Sequence, residues 1–395
     1  MARFFLVPCV YSNDTFFMQR ERLKMKSILR SLVLLSVVLL VTSGLIHAQA
    51  PAPTFCGDLK AADCTLLTDS QAAMKALKSQ SFKLDVSFDM SGLPSKPSAM
   101  SFKLTGNGSM VVDQKAMPDA TKLDATSFAK DPKAIFDLMS KVSSAVSADL
   151  HFTLDLPADL GKEMGNATLP KTINLSMKLV DGVGFVNVGE LGKAFPQLKG
   201  ASGWMGMNLP DLITAIMKQP GFSASMGGMG SGMSMGTDMT KLYSDPKMLG
   251  KFLKIERLAD GKVGSTKVAV FKTTLDYAAM FAVPEMQDMI KQQMEASGTK
   301  LSDKDFSAAM LMVRGLMKDA EFNMTQNIGL EDKYLYQTNM NLKFDMSSMK
   351  AQIGSALVFT MSATVNVSDF NKVEKITAPD GALVLPVESV IPSKK

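Results

Sequence analysis

The sequence predicts an α+β fold: a long, curved, mainly antiparallel sheet of ten or eleven strands, apolar on one face, with a few short helices to cover that face. Two observations carry this. Long stretches alternate apolar and polar residues with a period of two, which gives each strand one dry and one wet side. Short turns such as Asp181-Gly182 and Asp260-Gly261 join neighbouring stretches as hairpins. A third observation limits the architecture: only about five short helical stripes are available to cover so much sheet.

The clearest alternation lies near the C-terminus, in Glu321–Leu330, Lys333–Met346 and Ala356–Phe370. In the middle one Tyr334, Tyr336, Met340, Leu342 and Phe344 fall on one side, and a hairpin-short link at Glu331–Asp332 precedes it. Ser81–Met90 alternates without a fault, placing Phe82, Leu84, Val86, Phe88 and Met90 opposite Lys83, Asp85, Ser87 and Asp89. Ala99–Val112 follows, where Gly106 and Gly108 suggest a bulge. Further strands are expected at Asp149–Leu156, Thr172–Val180, Gly184–Val188, Lys251–Leu258 and Ser265–Asp276.

Helices are expected where the period changes to 3.6. Thr68 with Gln71 forms a capping box ahead of Asp69–Ser79, and Asp131-Pro132 opens Asp131–Ser144. Pro210–Lys218 is short. Pro284–Ala296 carries the stripe Met286, Met289, Ile290 and Met294. Ser302 with Asp305 caps a last helix, whose stripe is Phe306, Met310, Val313 and Met317.

The chain has 395 residues, and the first fifty read as a leader. Lys24, Lys26 and Arg30 precede the apolar run Ser31–Ile46, and Ala48-Gln49-Ala50 follows. A basic start, an apolar run and an A-x-A site form a secretory signal peptide with its core at 25–50, Met18 or Met25 serving as the start. Cleavage after Ala50 and export to a periplasmic or extracellular space are expected. A retained membrane anchor is the rival reading, but the run is short for a span. No cysteine follows the run closely, so no lipid anchor is expected.

Without residues 1–50, which hold six basic and two acidic residues, 37 basic stand against 36 acidic, a net charge of +1. Nothing in that balance asks for nucleic acid. The remaining organisation is a cap at 51–67, one domain over 68–380 and a tail at 381–395. Cys56 and Cys64 are the only cysteines after the leader, and in an oxidising compartment they should form a disulfide closing a small loop. Two thiols without a nearby histidine make a poor metal site, and no resident metal or cofactor is expected.

Catalytic chemistry is sparse. His151 is the one histidine after the leader, on the polar side of its strand. No G-x-S-x-G, H-E-x-x-H, P-loop or paired C-x-x-C is present, so no catalytic residue is assigned and no enzyme is expected. The sequons at Asn107, Asn166, Asn174, Asn323 and Asn366 read as the composition of wet strand faces rather than as glycan sites.

Methionine is abundant, at 32 residues. On strands and helices it fills irregular cores or lines a deformable cavity. Gly221–Thr240 is different: a low-complexity Gly, Ser and Met stretch expected to be a mobile loop. Its Met226, Met229, Met233, Met235 and Met239 would be soft ligands for Cu(I), or a lid over an apolar opening.

The helix DSQAAMKALKS, followed at once by a strand opening Ser81-Phe82-Lys83-Leu84, resembles the opening of the bacterial lipoprotein-carrier superfamily. That group includes LolA/LolB-type carriers and mycobacterial LppX/LprG-like exported proteins. The closing run Val367-Ser368-Asp369-Phe370-Asn371-Lys372, then Ile376-Thr377-Ala378-Pro379, is similar to the family's last strand and tail. Gly203–Leu209, around the single Trp204, resembles a segment before a helix in related exported proteins. The resemblance implies a mainly antiparallel, unclosed (half) β-barrel of about eleven strands, with helices covering its concave apolar face and a lipidic ligand between them. The missing lipobox and the extra length at Gln197–Lys251, read as an insertion, depart from the pattern.

The expected function is therefore a non-enzymatic, monomeric carrier or sensor of a lipid or acyl-chain ligand, in transient contact with a membrane or the envelope. Phe88, Phe102, Phe152, Phe322, Tyr336, Phe344 and Phe359 are the expected inward-facing residues. They should face Met286, Met289, Ile290, Phe306, Met310 and Val313 across the cavity. A dry-packed structural or interaction module of the envelope is the alternative, and a Met-loop copper binder a weaker one.

Overall fold

A computed structural model describes residues 54–93, 98–118, 132–157, 170–194, 203–218, 245–296, 299, 301–347, 350 and 355–389. Residues 1–50, where a leader is expected, and the Met-rich stretch at 221–240 lie outside the described residues. The fold is α+β and is organised on one large, unclosed, mostly antiparallel sheet of thirteen strands. In chain order these are β1 (Ser79–Ser91), β2 (Ala99–Val112), β3 (Val146–Asp155), β4 (Thr172–Val180), β5 (Val183–Asn187), β6 (Trp204–Asn208), β7 (Leu253–Arg257), β8 (Gly261–Val263), β9 (Thr266–Leu275), β10 (Glu321–Gly329), β11 (Leu335–Asp345), β12 (Val358–Ser368) and β13 (Leu383–Leu385). Across the sheet the order is β13-β6-β5-β4-β3-β2-β1-β12-β11-β10-β9-β7, with β8 paired to β9.

The alternation seen in the sequence sets which face is which. Phe88 lies opposite Phe102 on β2, and Met90 lies opposite both Met100 and Phe359. Residues opposite one another share a face, so the apolar side chains of successive strands line up on one side. On the other side, amides and hydroxyls bridge strands. Gln337 Nε2 donates to Asn366 Oδ1 at 2.7 Å, and Thr364 Oγ1 to Asn339 Oδ1 at 3.0 Å.

The helices are α1 (Ala61–Lys75), α2 (Pro132–Ala145), α3 (Val188–Ala194), α4 (Leu209–Met217), α5 (Pro246–Leu249), α6 (Tyr277–Met280), α7 (Pro284–Ala296) and α8 (Asp303–Met317). They cover the two flanks of the apolar face. On the β2–β6 flank, Leu138 and Val142 of α2 and Leu209 and Leu212 of α4 pack on Met110, Leu150, Met177 and Met207. On the β7–β10 flank, Leu67 of α1 packs on Ile255, Ala269, Phe271 and Ile328. Beside it Leu249, Met280, Met286 and Met289 form a cluster against Leu253 and Leu275.

Several local expectations are corrected. α1 begins eight residues before Asp69, with Lys60 as N-cap and no side-chain cap, and Thr68 is mid-helix, its Oγ1 donating to the Cys64 carbonyl at 3.0 Å. The capping box is therefore absent. The early start follows from the Cys56–Cys64 disulfide, which ties the first turn to the preceding loop with the Cα atoms 5.4 Å apart. Gly106 and Gly108 make no bulge: the register runs unbroken through both. A Cβ on Gly106 would sit 2.4 Å from the Phe152 ring, so the glycine leaves room for that ring. The link between β10 and β11 spans residues 330–334, with Lys333 at φ 63° and a register shift at Asn327/Ile328.

Residues 381–389 are structured. β13 pairs in parallel with β6, and Val387 is buried among α4 and the β2–β6 core. To reach that edge the chain crosses the outer, polar face of the sheet, where Ile376 packs on Val180 and Phe185.

Candidate functional site

Between the two covered flanks lie β1, the first half of β2, β11 and β12. Their apolar side chains, among them Leu84, Val86, Phe88, Met90, Phe102, Leu104, Met340, Leu342, Phe344, Phe359 and Met361, are all half-buried. None belongs to the four buried clusters among the described residues. In a closed core the central strands are the driest part of a sheet, because they are farthest from its edges. Here the flanks are dry and the centre is not.

Within this strip the aromatic rings form a chain across four strands. Centroid distances are 5.9 Å for Phe102–Phe88, 4.5 Å for Phe88–Phe359, 6.0 Å for Phe359–Phe344 and 5.3 Å for Phe344–Tyr277. Edge and tilted contacts at these spacings are the favoured aromatic geometry, and they hold the rings in place without covering them. Tyr277 begins α6, which the Asp276 side chain caps by accepting from the Ala279 N–H at 2.8 Å. The chain of rings thus ends at the helical cluster of the β7–β10 flank.

Of the residues singled out from the sequence, Phe88, Phe102, Phe344 and Phe359 come together in this chain. Phe322 is one strand further, half-buried between Leu275 and Leu342 on its neighbours. Phe152 lies over Gly106 and packs against the β2–β6 core. Met286 and Met289 are buried, with Ile290 beside them. Phe306 and Met310 are buried on the inner side of α8, and Val313 is half-buried. Tyr336 sits apart from the ring chain, with its hydroxyl donating to Asp332 Oδ2 at 2.5 Å and its ring edge-on to Phe370. Burial, and then the Asp332 carboxylate, hold its phenol above the usual tyrosine range.

The sequence reading missed Tyr277. The missing signal was tertiary: it falls in a four-residue helix with no period to read. It also missed a cavity of about 550 Å³ on the polar face, beneath the C-terminal crossing. Lys83, Asp149, His151, Lys178, Glu374 and Lys375 are among its lining residues. Asp149 is held there by Lys178 at 3.0 Å and His151 at 3.3 Å, and His151 Nδ1 lies 3.1 Å from Ser176 Oγ. Among the described residues no group of three or more His, Cys, Asp or Glu is placed to hold a metal ion.

No family model matches the chain, and no curated protein sequence does. Among solved structures, the chain is similar to the lipoprotein LppX of Mycobacterium tuberculosis. The identity is 10% and the TM-score 0.26, covering 80% of this chain and 100% of that one. It is also similar to LprF of Mycobacterium bovis, at 9% identity and a TM-score of 0.31, covering 80% of this chain and 96% of that one.

Proposed function

We propose that the half-covered apolar strip is a binding surface for an acyl chain or a comparable lipidic ligand, and that the protein is a non-enzymatic carrier or sensor of it. One observation carries this reading. The middle of the apolar face, not its margins, is left half-exposed, with its aromatic rings fixed against one another. Such a strip gains most by accepting a long, flexible, apolar chain, which needs contact area rather than a polar constellation. Methionines 340 and 361 on the same face add side chains that adjust to such a ligand at little cost.

The test is extraction of the purified, exported protein with organic solvent, followed by mass spectrometry for bound lipid, and displacement of a fluorescent fatty acid by unlabelled fatty acids. Co-purified lipid with saturable displacement supports the reading. A folded protein that holds no lipid and takes up no probe would leave a dry envelope module instead.

A further inference from the structure

α8 is apolar on two opposite faces. Phe306 and Met310 are buried on its inner side. On the outer side Ala308, Leu311, Met312 and Gly315 are all exposed, at the i, i+3, i+4, i+7 spacing that puts them in one stripe. Leu311 is 66% exposed and Met312 57%. Leu301, just before the helix, is exposed as well. Three of the six large hydrophobics exposed among the described residues therefore gather at this one helix.

One edge of the stripe is cationic. Lys304, Leu311 and Lys318 are spaced by seven, so a lysine stands two turns to either side of the leucine on nearly one line. Arg314 flanks the same stripe, one turn after Leu311. All three cations are exposed, and among the described residues Lys318 has a loose acid partner, Asp319 at 3.9 Å. Asp303 is paired with Lys291 at 2.5 Å. Asp305, which the capping Ser302 hydroxyl meets, and Asp319 stand seven residues either side of Met312. The cations therefore run along the Leu311 edge of the stripe and the two acids along the Met312 edge.

We infer that the outer face of α8 docks on an anionic phospholipid membrane surface, lying flat with Leu311 and Met312 in the acyl boundary and the lysines at headgroup level. This rests on the lipid reading above and adds where the ligand enters. α8 packs on α6, whose Tyr277 ends the ring chain at Phe344. Long basic side chains at both ends of an apolar stripe suit an interface where their stems are buried and their ammonium groups meet phosphate. A spanning role is excluded by length, since no described helix is long and apolar enough to cross a membrane. A second copy is the weaker occupant, because two exposed side chains offer far less than the roughly 800 Å² per partner of a stable interface.

The test is co-sedimentation of the mature protein with phosphatidylcholine vesicles, with and without about one-third phosphatidylglycerol, at low and high salt. Wild type should bind the anionic vesicles, less so as salt rises. Leu311→Ser/Met312→Ser and Lys304→Glu/Lys318→Glu should each lower that binding by about tenfold or more. Leu383→Ser, at the far edge of the sheet, should leave it unchanged. All variants should keep the wild-type circular dichroism and the same affinity for a soluble fluorescent fatty acid. Vesicle binding that survives both double variants, or is absent in wild type, overturns the inference. So does a wild-type dimer in sedimentation that Leu311→Ser/Met312→Ser dissolves, since the face would then belong to a second copy. Vesicle binding without any fatty-acid uptake would instead sink the carrier reading and leave the docking face standing.

Discussion

Phe344 and Lys343 are one position apart in β11 and so on opposite faces of the sheet. Phe344 joins the ring chain, whereas Lys343 Nζ makes only loose ion pairs, 3.9 Å from Glu321 and 3.7 Å from Asp345. Phe344→Asp should therefore set an unpaired carboxylate against a bound acyl chain and weaken its binding by at least about 2 kcal/mol, near thirtyfold. Lys343→Asp should leave that affinity within about twofold, its loss being confined to exposed pairs. A fluorescent fatty-acid titration of both variants decides; equal losses would mean that the ligand does not use this face. Gly106 argues from the same geometry in the other direction. Gly106→Val would drive a side chain into the Phe152 ring and should cost about 1–3 kcal/mol of stability by urea unfolding. An unchanged midpoint would show that the ring swings aside. The alternation of strand residues was legible because a period of two maps directly onto faces. The two glycines were misread because only the partner strand shows a ring lying across them.

Elements with a long period were found from sequence, and so were the five-residue β5 and β7, each beside an Asp-Gly turn, whereas β6, β8 and β13 were not. β1, β2, β9, β11 and β12 run ten residues or more, enough for the alternation to speak. β6, β8 and β13 are five residues or fewer, and their existence depends on a free strand edge to pair with. The start of α1 was hidden for a similar reason. Its first turn is held by the disulfide and by Asp63 reaching Arg257 at 3.3 Å, neither of which a capping pattern reports. Reducing Cys56–Cys64 should lower stability by about 2–3 kcal/mol, seen as an earlier urea midpoint with reductant present. A shift much smaller than that would show that the contacts of Leu67 hold the helix unaided. At the other end, ending the chain after residue 380 removes β13 and the buried Val387, leaving the β6 edge and part of the β2–β6 core open. The expected loss is about 2–4 kcal/mol. A truncated protein with the full-length melting temperature would show the segment to be an ornament on an otherwise closed core.

At the scale of the whole molecule the sequence showed how much of the sheet is apolar on one side, but not what lies over it. Periodicity reports a face; coverage depends on where helices land. Here they land on the flanks, with α2 and α4 at one side and α1, α5 and α7 at the other. The uncovered middle is the origin of both the candidate site and a measurable consequence. Laying an acyl chain of roughly 14 methylenes on the strip gains a gross ~11 kcal/mol at ~0.8 kcal/mol each. Association and the ordering of the chain remove several kcal/mol of that, which leaves affinities near the micromolar range. A ligand at about a hundred times its dissociation constant then adds about 2.7 kcal/mol to the folded state. For a chain of this size that is a rise in melting temperature of a few degrees, growing with ligand concentration. Long-chain fatty acids should produce it and short-chain ones of the same headgroup should not, because the gain scales with buried methylenes. An equal response to both would assign the effect to the carboxylate and point to the polar cavity beneath the C-terminal crossing. No response to either, from protein first stripped of lipid, would mean that the strip closes on itself in solution and serves as packing.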